Sequence, residues 1–484
     1  MSIIDIDVED NDRFRGELAS ISKEGKRRWI YAKESSGRYT NRRTVAAWFL
    51  LLFLFIAPHI KINGLQFMLF NILERNFVVL GIPFWTQDFY ILLIFALSLL
   101  TGIVAFTSAF GRVWCGWACP QTIFLEMIYR KLEFFIEGSR QQQVQLDNAP
   151  WSSKKIRIKF LKHSLFFFIA FFISNTFLAY IIGSDQLYAI ITDPPKNHIV
   201  GLLSILLFSA VFYAVFARFR EQACIIVCPY GRYMSSLVDE NTVAVSYDFK
   251  RGEPRKKFSK FDREAESTIS PNNVSRGDCI DCGQCVAVCP TGIDIRNGIQ
   301  LECVNCTACI DACDDVMEKM KKPRGLIRYT SLNAIRNGTL SKLPKRTYAY
   351  LAVWIITLTT AVVLYALRPE LHVLVLRQSG TTYSKTNENR YVNFFILQKL
   401  NKTNKSKTID LVVSKPEGGL IKPLGNLSES KPNTEEKTRF IIEIPMDKVN
   451  PNGFTPIELH ILENKKVVKV ITSEFLSPIN QNQL

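Results

Sequence analysis

The chain has 484 residues, of which 48% are hydrophobic and 21% charged, and 60 Lys and Arg against 44 Asp and Glu give a formal net charge of +16. This length exceeds one compact core, and the apolar content excludes a disordered or collagen-like chain. The twelve cysteines are too few for a small disulfide scaffold. They are tightly clustered, however, as metal-binding cysteines usually are.

Five apolar runs predict transmembrane helices, because about 20 helical residues cross a hydrocarbon core of roughly 30 Å. Each run has 16 to 20 residues and contains no Asp, Glu, Lys or Arg. The runs are Val45–Ile60, Phe89–Thr107, Ser164–Gly183, Ile199–Phe216 and Tyr348–Leu367. A further apolar stretch, Leu65–Trp85, is broken by Glu74 and Arg75. We expect it to be a re-entrant or interfacial segment and not a sixth span.

The distribution of positive charge predicts how these helices are oriented. Residues 1–44 carry ten Lys and Arg and residues 108–163 carry nine, whereas the loop 61–88 carries two. By the positive-inside rule, the N-terminus and residues 217–347 are cytoplasmic, and the chain after Leu367 is periplasmic. The protein is thus expected to span a bacterial inner membrane several times. Much of its charge then reflects topology and lipid contact, so no nucleic-acid partner is expected.

The C-terminal hundred residues predict a β-sandwich. Short alternating or β-branched runs are separated by Asn, Gly and Pro clusters, which is typical of strands joined by turns. The predicted strands are Arg390–Leu397, Thr408–Val413, Arg439–Ile444, Thr455–Leu462 and Val467–Phe475. This region has no cysteine, so an immunoglobulin-like fold here would lack the inter-sheet disulfide. It contains no catalytic cluster, and docking of a partner is its expected role.

The most specific signal is a pair of C-x₂-C-x₂-C-x₃-C motifs, the pattern of bacterial ferredoxins with two clusters. In that pattern, three closely spaced thiolates hold one [4Fe–4S] cluster and the fourth cysteine binds the other cluster. The second motif ends in Asp314 instead of the usual proline, which removes no ligand. Zinc ribbons use pairs of cysteines, and a reducing cytoplasm disfavours disulfides. The predicted ligands are Cys279, Cys282, Cys285 and Cys313 for the first cluster, and Cys303, Cys306, Cys309 and Cys289 for the second.

Two further motifs of the form C-x₃-C-P follow the second and the fourth apolar run. Residues i and i+4 of a helix share a face, so we expect each pair to present two sulfurs together, and the two pairs could form one four-thiolate site. Soft thiolates select Cu(I), zinc or iron–sulfur clusters. The alternative is that these cysteines are small buried hydrophobic residues. The candidate catalytic and copper-binding residues are therefore Cys115, Cys119, Cys224 and Cys228.

Signals for other cofactors are missing from the sequence. There is no C-x-x-C-H haem attachment motif and no G-x-G-x-x-G nucleotide loop, and none of the five histidines lies in the middle of a predicted span. The stretch Ile123–Ile136 is amphipathic and predicts a surface helix on the inner leaflet. Residues 250–263 are rich in Lys and Arg and are expected to be a solvated or lipid-facing linker.

These features predict a multi-domain integral membrane protein with an α-helical membrane core, a double [4Fe–4S] ferredoxin domain and a C-terminal β-domain. The N-terminal segment leads into the four-helix core, and cytoplasmic linkers stand on either side of the ferredoxin domain, before the fifth helix. The predicted bounds are 1–44 for the N-terminal segment, 45–216 for the membrane core, 217–265 for a linker with the second C-x₃-C-P motif, 266–325 for the ferredoxin domain, 326–347 for a linker, 348–367 for the fifth helix and 380–484 for the β-domain.

The motifs resemble those of the cytochrome c oxidase accessory protein family (CcoG/FixG/RdxA). The resemblance spans roughly residue 41 to the C-terminus and is dense from 110 to 330. It is carried by Trp114–Cys115, Cys119–Thr122, Arg220–Gln222, Cys228–Tyr230, Arg251–Pro254, Cys289–Gly298 and Gly325–Tyr329. Trp85–Phe89 has Thr86 where the family is expected to have proline, and the C-terminal domain matches weakly, which leaves the choice of partner open.

The resemblance implies two [4Fe–4S] clusters and an immunoglobulin-like β-sandwich outside the membrane. It also implies an oxidoreductase of the cupric reductase type, which reduces Cu(II) to Cu(I) during assembly of a cbb-type cytochrome oxidase. The C-x₃-C-P cysteines match those proposed to handle copper. The implied partners are the oxidase or its copper-delivery factors, and an electron donor that is either cytoplasmic or a quinol.

Two alternatives remain at this point. One is an electron-transfer subunit of a respiratory reductase, since related membrane polyferredoxins also combine C-x₃-C-P helices with double-cluster ferredoxins and exchange electrons with quinol. The other is a non-catalytic assembly scaffold, in which the β-domain binds the oxidase and the clusters only sense redox state. Reduction of clusters by quinol without copper binding would favour the respiratory subunit over the cupric reductase. Function that survives the loss of all twelve thiols would favour the scaffold.

Overall fold

A computed structural model gives the three-dimensional structure of the chain. It describes residues 21, 26–255, 277–339, 343–403, 405–425, 427–463 and 466–479. The predicted border between residues 265 and 266 lies outside these ranges, as do most of the basic stretch 250–263 and the start of the N-terminal segment. The chain divides into two units that meet at residue 363. We call them the cysteine unit, which contains all twelve cysteines, and the β unit.

Helices dominate the cysteine unit. Within the described residues the α-helices are α1 (Arg38–Ile56), α2 (Phe89–Phe110), α3 (Val113–Trp117), α4 (Pro120–Ile123), α5 (Arg130–Glu137), α6 (Arg140–Asn148), α7 (Ser153–Ile182), α8 (Ser184–Thr192), α9 (Ile199–Ala214), α10 (Pro229–Tyr233), α11 (Phe249–Gly252), α12 (Gln284–Ala287), α13 (Ala308–Lys319), α14 (Leu332–Asn337) and α15 (Lys345–Ala366). π-Helical segments occur at Phe124–Tyr129, Val215–Phe219 and Ala223–Val227.

Five helices, taken with their flanking turns, are long and apolar enough to cross a membrane, which confirms the five predicted spans. They are Arg38–His59, Thr86–Phe110, Ser153–Ile182, Ile199–Phe219 and Lys345–Ala366. The third begins at Ser153 instead of Ser164, because its first turns carry lysines whose long side chains allow an apolar helix to continue into polar surroundings. Ser152 caps this helix by accepting a hydrogen bond from the backbone N–H of Lys155 at 3.3 Å.

The segment between α1 and α2 consists of β-strands. A two-stranded ribbon is followed by a three-stranded antiparallel meander, so the stretch Leu65–Trp85 contains no helix long enough to span. In the ribbon and in the meander, backbone N–H and C=O groups of neighbouring strands pair with each other. The strands are β1 (Lys61–Ile62), β2 (Leu65–Gln66), β3 (Met68–Asn71), β4 (Asn76–Val79) and β5 (Ile82–Phe84).

A short antiparallel pair of strands encloses the two long cysteine motifs. Strand β6 (Ala244–Tyr247) pairs with β7 (Ile327–Thr330), and the motifs lie between them in the sequence. The helices α12 and α13 lie against this pair. Their apolar core is small and contains Val245, Tyr247, Cys279, Cys285, Ile295, Ile310, Met317, Leu326 and Ile327.

The β unit is a sandwich of two antiparallel sheets, as predicted. One sheet has the order β12-β14-β10-β8 with β9 beside β10, and the other has the order β13-β11-β15-β16. The strands are β8 (Leu371–Arg377), β9 (Ser384–Thr386), β10 (Arg390–Asn401), β11 (Lys407–Lys415), β12 (Leu420–Pro423), β13 (Glu429–Ser430), β14 (Thr434–Pro445), β15 (Asn452–Glu463) and β16 (Lys466–Ile479). All five predicted strands fall inside observed ones, which are longer.

Candidate functional site

Cysteines from both long motifs line a first cavity. Cys279 and Cys282 come from the loop before α12, Cys285 from α12 itself and Cys313 from α13. Helices α12 and α13 lie side by side, and this packing brings Cys313 to the cysteines of the other motif. Tyr247 of β6 closes one wall. Among the cysteines, which all belong to described ranges, Cys282 is the one that is exposed to solvent.

A second cavity is lined by Cys289, Cys303, Cys306 and Cys309, and it also touches Cys285 of the first. The chain around Cys303 and Cys306 is irregular. Asn305, between them, has a positive φ of 54° and accepts a hydrogen bond from the backbone N–H of Val245 through its side-chain oxygen at 3.2 Å. This bond fixes the loop to β6.

Each cavity is thus lined by the four cysteines of one predicted ligand set, and the second cavity is also lined by Cys285. Burial raises the pKa of Cys303 and of Cys313 to about 12, so these thiols stay protonated unless a metal ion replaces the proton. Within the described ranges, no three His, Cys, Asp or Glu side chains converge closely enough to hold a single metal ion. Four thiols that surround a cavity fit a cluster in which each iron takes one thiolate.

The two C-x₃-C-P pairs do not lie on continuous helices, so the prediction of a shared helix face is wrong. Cys115 lies in α3, but Cys119 has an extended backbone (φ −64°, ψ 124°) and directly precedes α4. Cys228 has nearly the same conformation (φ −69°, ψ 114°) before α10. Pro120 and Pro229 are the cause, because proline suits the first turn of a helix and disfavours helical geometry in the residue before it. Each motif thus ends one helix and starts another.

The four thiols of these pairs nevertheless lie near one another, and we call them the cysteine quartet. Burial raises the pKa of Cys224 to about 12, and the neighbouring Cys119, Cys115 and Cys228 add to that rise. The two halves pack closely. A Cβ atom at Gly231 would overlap the carbonyl oxygen of Cys224, so only glycine allows α10 to approach this turn.

The cysteine quartet lies directly against the second cavity. Cys115 belongs to the same buried apolar cluster as Val304 and Cys306. A Cβ atom at Gly116 would stand 2.5 Å from the carbonyl oxygen of Val304, too close for any other residue at this position. The glycine inside the first C-x₃-C-P motif is therefore required for contact between the quartet and the second set of thiols.

Two buried arginines lie at this junction. The Nε of Arg43 donates to the carbonyl oxygen of Gly116 at 2.7 Å, and Arg112 donates to the carbonyl oxygen of Leu301 at 2.5 Å and lies beside Cys115. Nη2 of Arg43 and Nε of Arg112 are buried without an acceptor among the described residues. An unpaired buried guanidinium N–H is costly. A negatively charged metal–thiolate centre would supply the missing charge and acceptors.

The start of α1 and the segment before it are attached to the cysteine motifs. The backbone N–H groups of Tyr39 and Thr40 donate to the carboxylate of Asp311 at 3.0 and 2.6 Å. Asp311 lies in α13, two residues after Cys309. In the segment before α1, the backbone N–H of Lys33 donates to the carbonyl oxygen of Ala287 at 2.7 Å. These bonds fix the start of α1 to the helices that carry the thiols.

The prediction of a surface helix at Ile123–Ile136 is also wrong. Helix α4, a π-helical segment and α5 follow each other without a gap from Pro120 to Glu137, and Glu133 is only 4% exposed. Glu133 accepts two hydrogen bonds from the guanidinium of Arg220, at 2.6 and 2.9 Å, and its carboxylate lies 2.9 Å from the Nζ of Lys162. The amphipathic pattern arises because the charged face of this helix pairs with charges of other elements.

The same helix contacts the second set of thiols. Arg130 is 3% exposed and donates through Nη2 to the carbonyl oxygen of Pro290 at 2.9 Å. Pro290 follows Cys289 directly. Sequence reasoning missed the roles of Arg130, Arg43 and Gly116. Two signals could have identified two of these residues: Arg130 is an arginine among apolar residues, and Gly116 is a glycine between two cysteines.

Three protein-family models match this chain. A "4Fe-4S binding domain" matches residues 92–159, a "4Fe-4S dicluster domain" residues 219–332, and the "IG-like fold at C-terminal of FixG" residues 361–478. These matches show that iron–sulfur clusters are cofactors of the protein and that the β unit has an immunoglobulin-like fold.

Curated relatives match over most of the chain. The "Nitrogen fixation protein FixG" of Rhizobium meliloti is 30% identical over 93% of this chain and 89% of its own length. From Cereibacter sphaeroides, "Protein RdxA" is 34% identical over 72% of this chain and 73% of its own, and "Protein RdxB" is 31% identical over 80% and 82%. A solved structure of a FixG-related protein from Vibrio parahaemolyticus covers 23% of this chain and 98% of that chain, at 18% identity and a TM-score of 0.19.

Proposed function

This chain belongs to the FixG family, and on that premise we propose that it carries single electrons from a donor to copper and reduces Cu(II) to Cu(I) for the copper centre of a cbb-type cytochrome oxidase. Membership of the family, with its iron–sulfur domains and five apolar helices, makes it a membrane-associated electron-transfer protein. The observation that carries the finer proposal is the packing of the cysteine quartet against the second set of thiols.

We assign each cavity one [4Fe–4S] cluster. Cys279, Cys282, Cys285 and Cys313 would hold the first, and Cys289, Cys303, Cys306 and Cys309 the second. Bound there, the clusters would supply one-electron transfer, the chemistry that reduction of Cu(II) requires. The first set includes the exposed Cys282, whereas the second set lies against the quartet.

The quartet is the proposed copper site. Thiolates prefer Cu(I) to harder ions, so they favour the reduced product. Burial raises the pKa of Cys115, and the neighbouring Arg112 opposes that rise. Arg43 at Gly116 places a second positive charge at this junction, and both charges would stabilise thiolates once copper replaces the thiol protons. Because no three of the thiols converge on one point, copper would be held by part of the quartet or after a small movement. The copper itself is a substrate.

The charge distribution supports a topology with the cysteine motifs in the cytoplasm and the β unit in the periplasm. On that topology the quartet takes copper from the cytoplasmic side. The β unit would then be free to contact the oxidase or its copper-delivery factors. Labelling of single introduced cysteines at Lys415 and Lys319 with a membrane-impermeant reagent, in intact cells and in opened cells, tests the two assignments.

The test of copper reduction uses purified protein reduced anaerobically with dithionite and freed of excess reductant. Cu(II) is added, and Cu(I) is measured with a Cu(I)-specific chelator while the visible absorbance of the clusters is followed. We expect about one Cu(I) for each cluster that is reoxidised, because each can give one electron. The double variant Cys115→Ser, Cys228→Ser should lose copper reduction and keep its iron.

The control is Trp114→Phe in α3, the helix that contains Cys115. Trp114 is exposed and lies outside the apolar cluster of Cys115, Val304 and Cys306. This variant should reduce copper at the normal rate. Copper reduction that persists in the double cysteine variant would refute the quartet as the copper site. Clusters that reduce normally but never transfer electrons to copper would refute the proposed activity.

One observation favours a second candidate for the quartet. The family model named for 4Fe–4S binding covers residues 92–159, a range whose only cysteines are Cys115 and Cys119. Four thiols are also the ligand set of an iron–sulfur cluster. Iron analysis separates the two candidates, because two clusters give about eight irons per chain and three give about twelve.

A further inference from the structure

A histidine and a tyrosine form a hydrogen-bonded pair on the membrane core, away from the cysteines. His163 belongs to α7 and Tyr213 to α9, and the ring nitrogen Nδ1 of His163 lies 2.9 Å from the hydroxyl oxygen of Tyr213. The ring of Phe167 lies edge-on to that of Tyr213 at 5.9 Å. No described residue forms a hydrogen bond with the other ring nitrogen of His163, Nε2.

The pair lies at the border between the charged and the apolar part of α7. Lys162 is buried, with its Nζ 2.9 Å from the carboxylate of Glu133 and 3.0 Å from that of Glu137, whereas the apolar run starts at the next residue after His163. His163 itself is exposed on the surface of two helices that are apolar enough to span. An ionisable side chain within a membrane-spanning helix is a candidate for a functional residue.

A short series of contacts leads from this pair to the second set of thiols. The ring of His163 lies 6.4 Å from that of Phe166, which in turn lies 4.8 Å from the ring of Tyr129. Phe166 and Tyr129 are each 1% exposed. Arg130, the next residue, donates to the carbonyl oxygen of Pro290, which follows the thiol residue Cys289.

We propose that the His163–Tyr213 pair binds the head group of a lipid-soluble hydroquinone, which is the electron donor of this protein. Such a donor needs a polar group that it can reach from the lipid, an aromatic surface and a route to an electron acceptor, and this location has all three. The inference rests on the proposed function, because it names the donor for the electron-transfer chain described above.

The reaction balances in electrons and protons. A hydroquinone would break its two O–H bonds, give up two electrons and become a quinone. The two electrons would go one to each of the two proposed [4Fe–4S] clusters, which the eight cysteines of the two cavities would hold. With the proton on Nδ1 directed to the oxygen of Tyr213, Nε2 of His163 can accept the hydroquinone protons one after the other. Each proton then leaves to water at the cytoplasmic surface, where the charged part of α7 begins.

A purely structural role would have the hydrogen bond hold α7 and α9 together at the membrane surface. In that case, substitution would lower thermal stability and leave the preference for donors unchanged. The proposal predicts the reverse, because reduction by hydroquinone should fall while reduction by dithionite, which is a small soluble reductant, should not. The two roles are therefore separated by comparing donors in one variant.

The experiment uses full-length protein in lipid nanodiscs under anaerobic conditions, with decylubiquinol as the probe. The rate at which the visible absorbance of the oxidised clusters is lost is measured for wild type, His163→Phe, Tyr213→Phe and the control His198→Phe. His198 is a half-buried histidine that directly precedes α9 and pairs with Asp193. We expect about a 100-fold loss for His163→Phe, since it removes a general base, a smaller loss for Tyr213→Phe, and none for the control.

Normal iron content and normal reduction by dithionite in each variant show that the fold and the clusters are intact. If His163→Phe does not fold, Tyr213→Phe decides, because it keeps the ring and removes only the hydroxyl. Wild-type rates with decylubiquinol in both variants, or no reduction of wild type by decylubiquinol, would overturn the inference. Copper reduction by dithionite-reduced protein is a separate readout, so failure of the copper proposal alone would leave the clusters reducible by hydroquinone.

Discussion

In the β unit, Phe395 and Phe440 stack with ring centroids 5.8 Å apart at the centre of two facing sheets, and both are fully buried. The centre of the long cysteine motifs is different, with thiols around two cavities and a helix, α12, of only four residues. The core of the β unit is filled by apolar side chains, whereas the cysteine motifs surround two cavities.

The contrast shows two ways to stabilise a fold in one chain. Burial of apolar side chains stabilises the sandwich without any cofactor. Around the thiols, short helices and irregular loops bury little apolar surface, so metal ligation has to supply part of the folding free energy. A buried ion pair, Glu133–Arg220, also connects helix α5 to the turn after the π-helical segment Val215–Phe219. Loss of iron should therefore affect one unit and spare the other.

The largest effect is expected when a single thiol ligand is removed. Cys313→Ser and Cys279→Ser belong to the same proposed set, so each should lose about four of eight irons and leave the same residual EPR spectrum after reduction with dithionite. Cys289→Ser and Cys303→Ser should share a different residual spectrum. Both pairs should leave thermal unfolding of the β unit unchanged.

These matched pairs test whether the fourth cysteine of each motif binds the cluster of the other motif. If Cys313→Ser gave the spectrum of Cys303→Ser, the chain would use each motif for its own cluster and the proposed ligand sets would be wrong. If iron loss lowered the melting temperature of the β unit, the contrast between the two units would fail.

A hydrophobic truncation should produce the opposite pattern. Phe440→Ala removes a fully buried ring from the sandwich and should lower the free energy of unfolding of the β unit by about 3–5 kcal/mol. Iron content and reduction by dithionite should not change. Val412→Ala, at a side chain that is 48% exposed, is the control and should have little effect. Calorimetry of the purified protein measures both, and a loss of iron in Phe440→Ala would contradict the independence of the units.

A smaller, pH-dependent effect is expected from the buried ion pairs. Burial alone would raise the pKa of Glu133, but Arg220 and Lys162 outweigh it and lower the pKa to about 2. A carboxyl group whose pKa is depressed in the folded state stabilises the fold above its unfolded pKa, and that stability is lost as the pH falls from about 4.5 to about 2. The contribution is on the order of 3 kcal/mol at neutral pH.

The measurement compares thermal unfolding of wild type and Glu133→Gln between pH 7 and pH 3. The variant should be less stable at pH 7, and the difference should shrink as the pH falls. Asp315→Ala is the control, because Asp315 forms an exposed pair with Lys319 and should contribute only a few tenths of a kcal/mol. A difference that stays constant with pH would show that Glu133 is not held as a carboxylate by its partners.

Local signals in the sequence were sufficient for the elements that depend on local physics. The five spans follow from apolar length, and the strands of the β unit follow from alternation between turns. The expectation of iron–sulfur clusters follows from cysteine spacing, whereas the two sets of four ligands stay a prediction. Errors arose where two signals competed, as at Cys119, where the i and i+4 periodicity predicted one helix and Pro120 ended it.

The sequence by itself determined which residues can cross a membrane and which form the sandwich, because each of these properties depends on residues that are close together in the chain. Only the tertiary structure decided that Gly116 contacts Val304, that Arg130 contacts Pro290, and that the apparent surface helix is buried. The first two contacts join residues more than 150 positions apart. No periodicity encodes such pairs, since they are selected by close packing and by the need to pair buried charges.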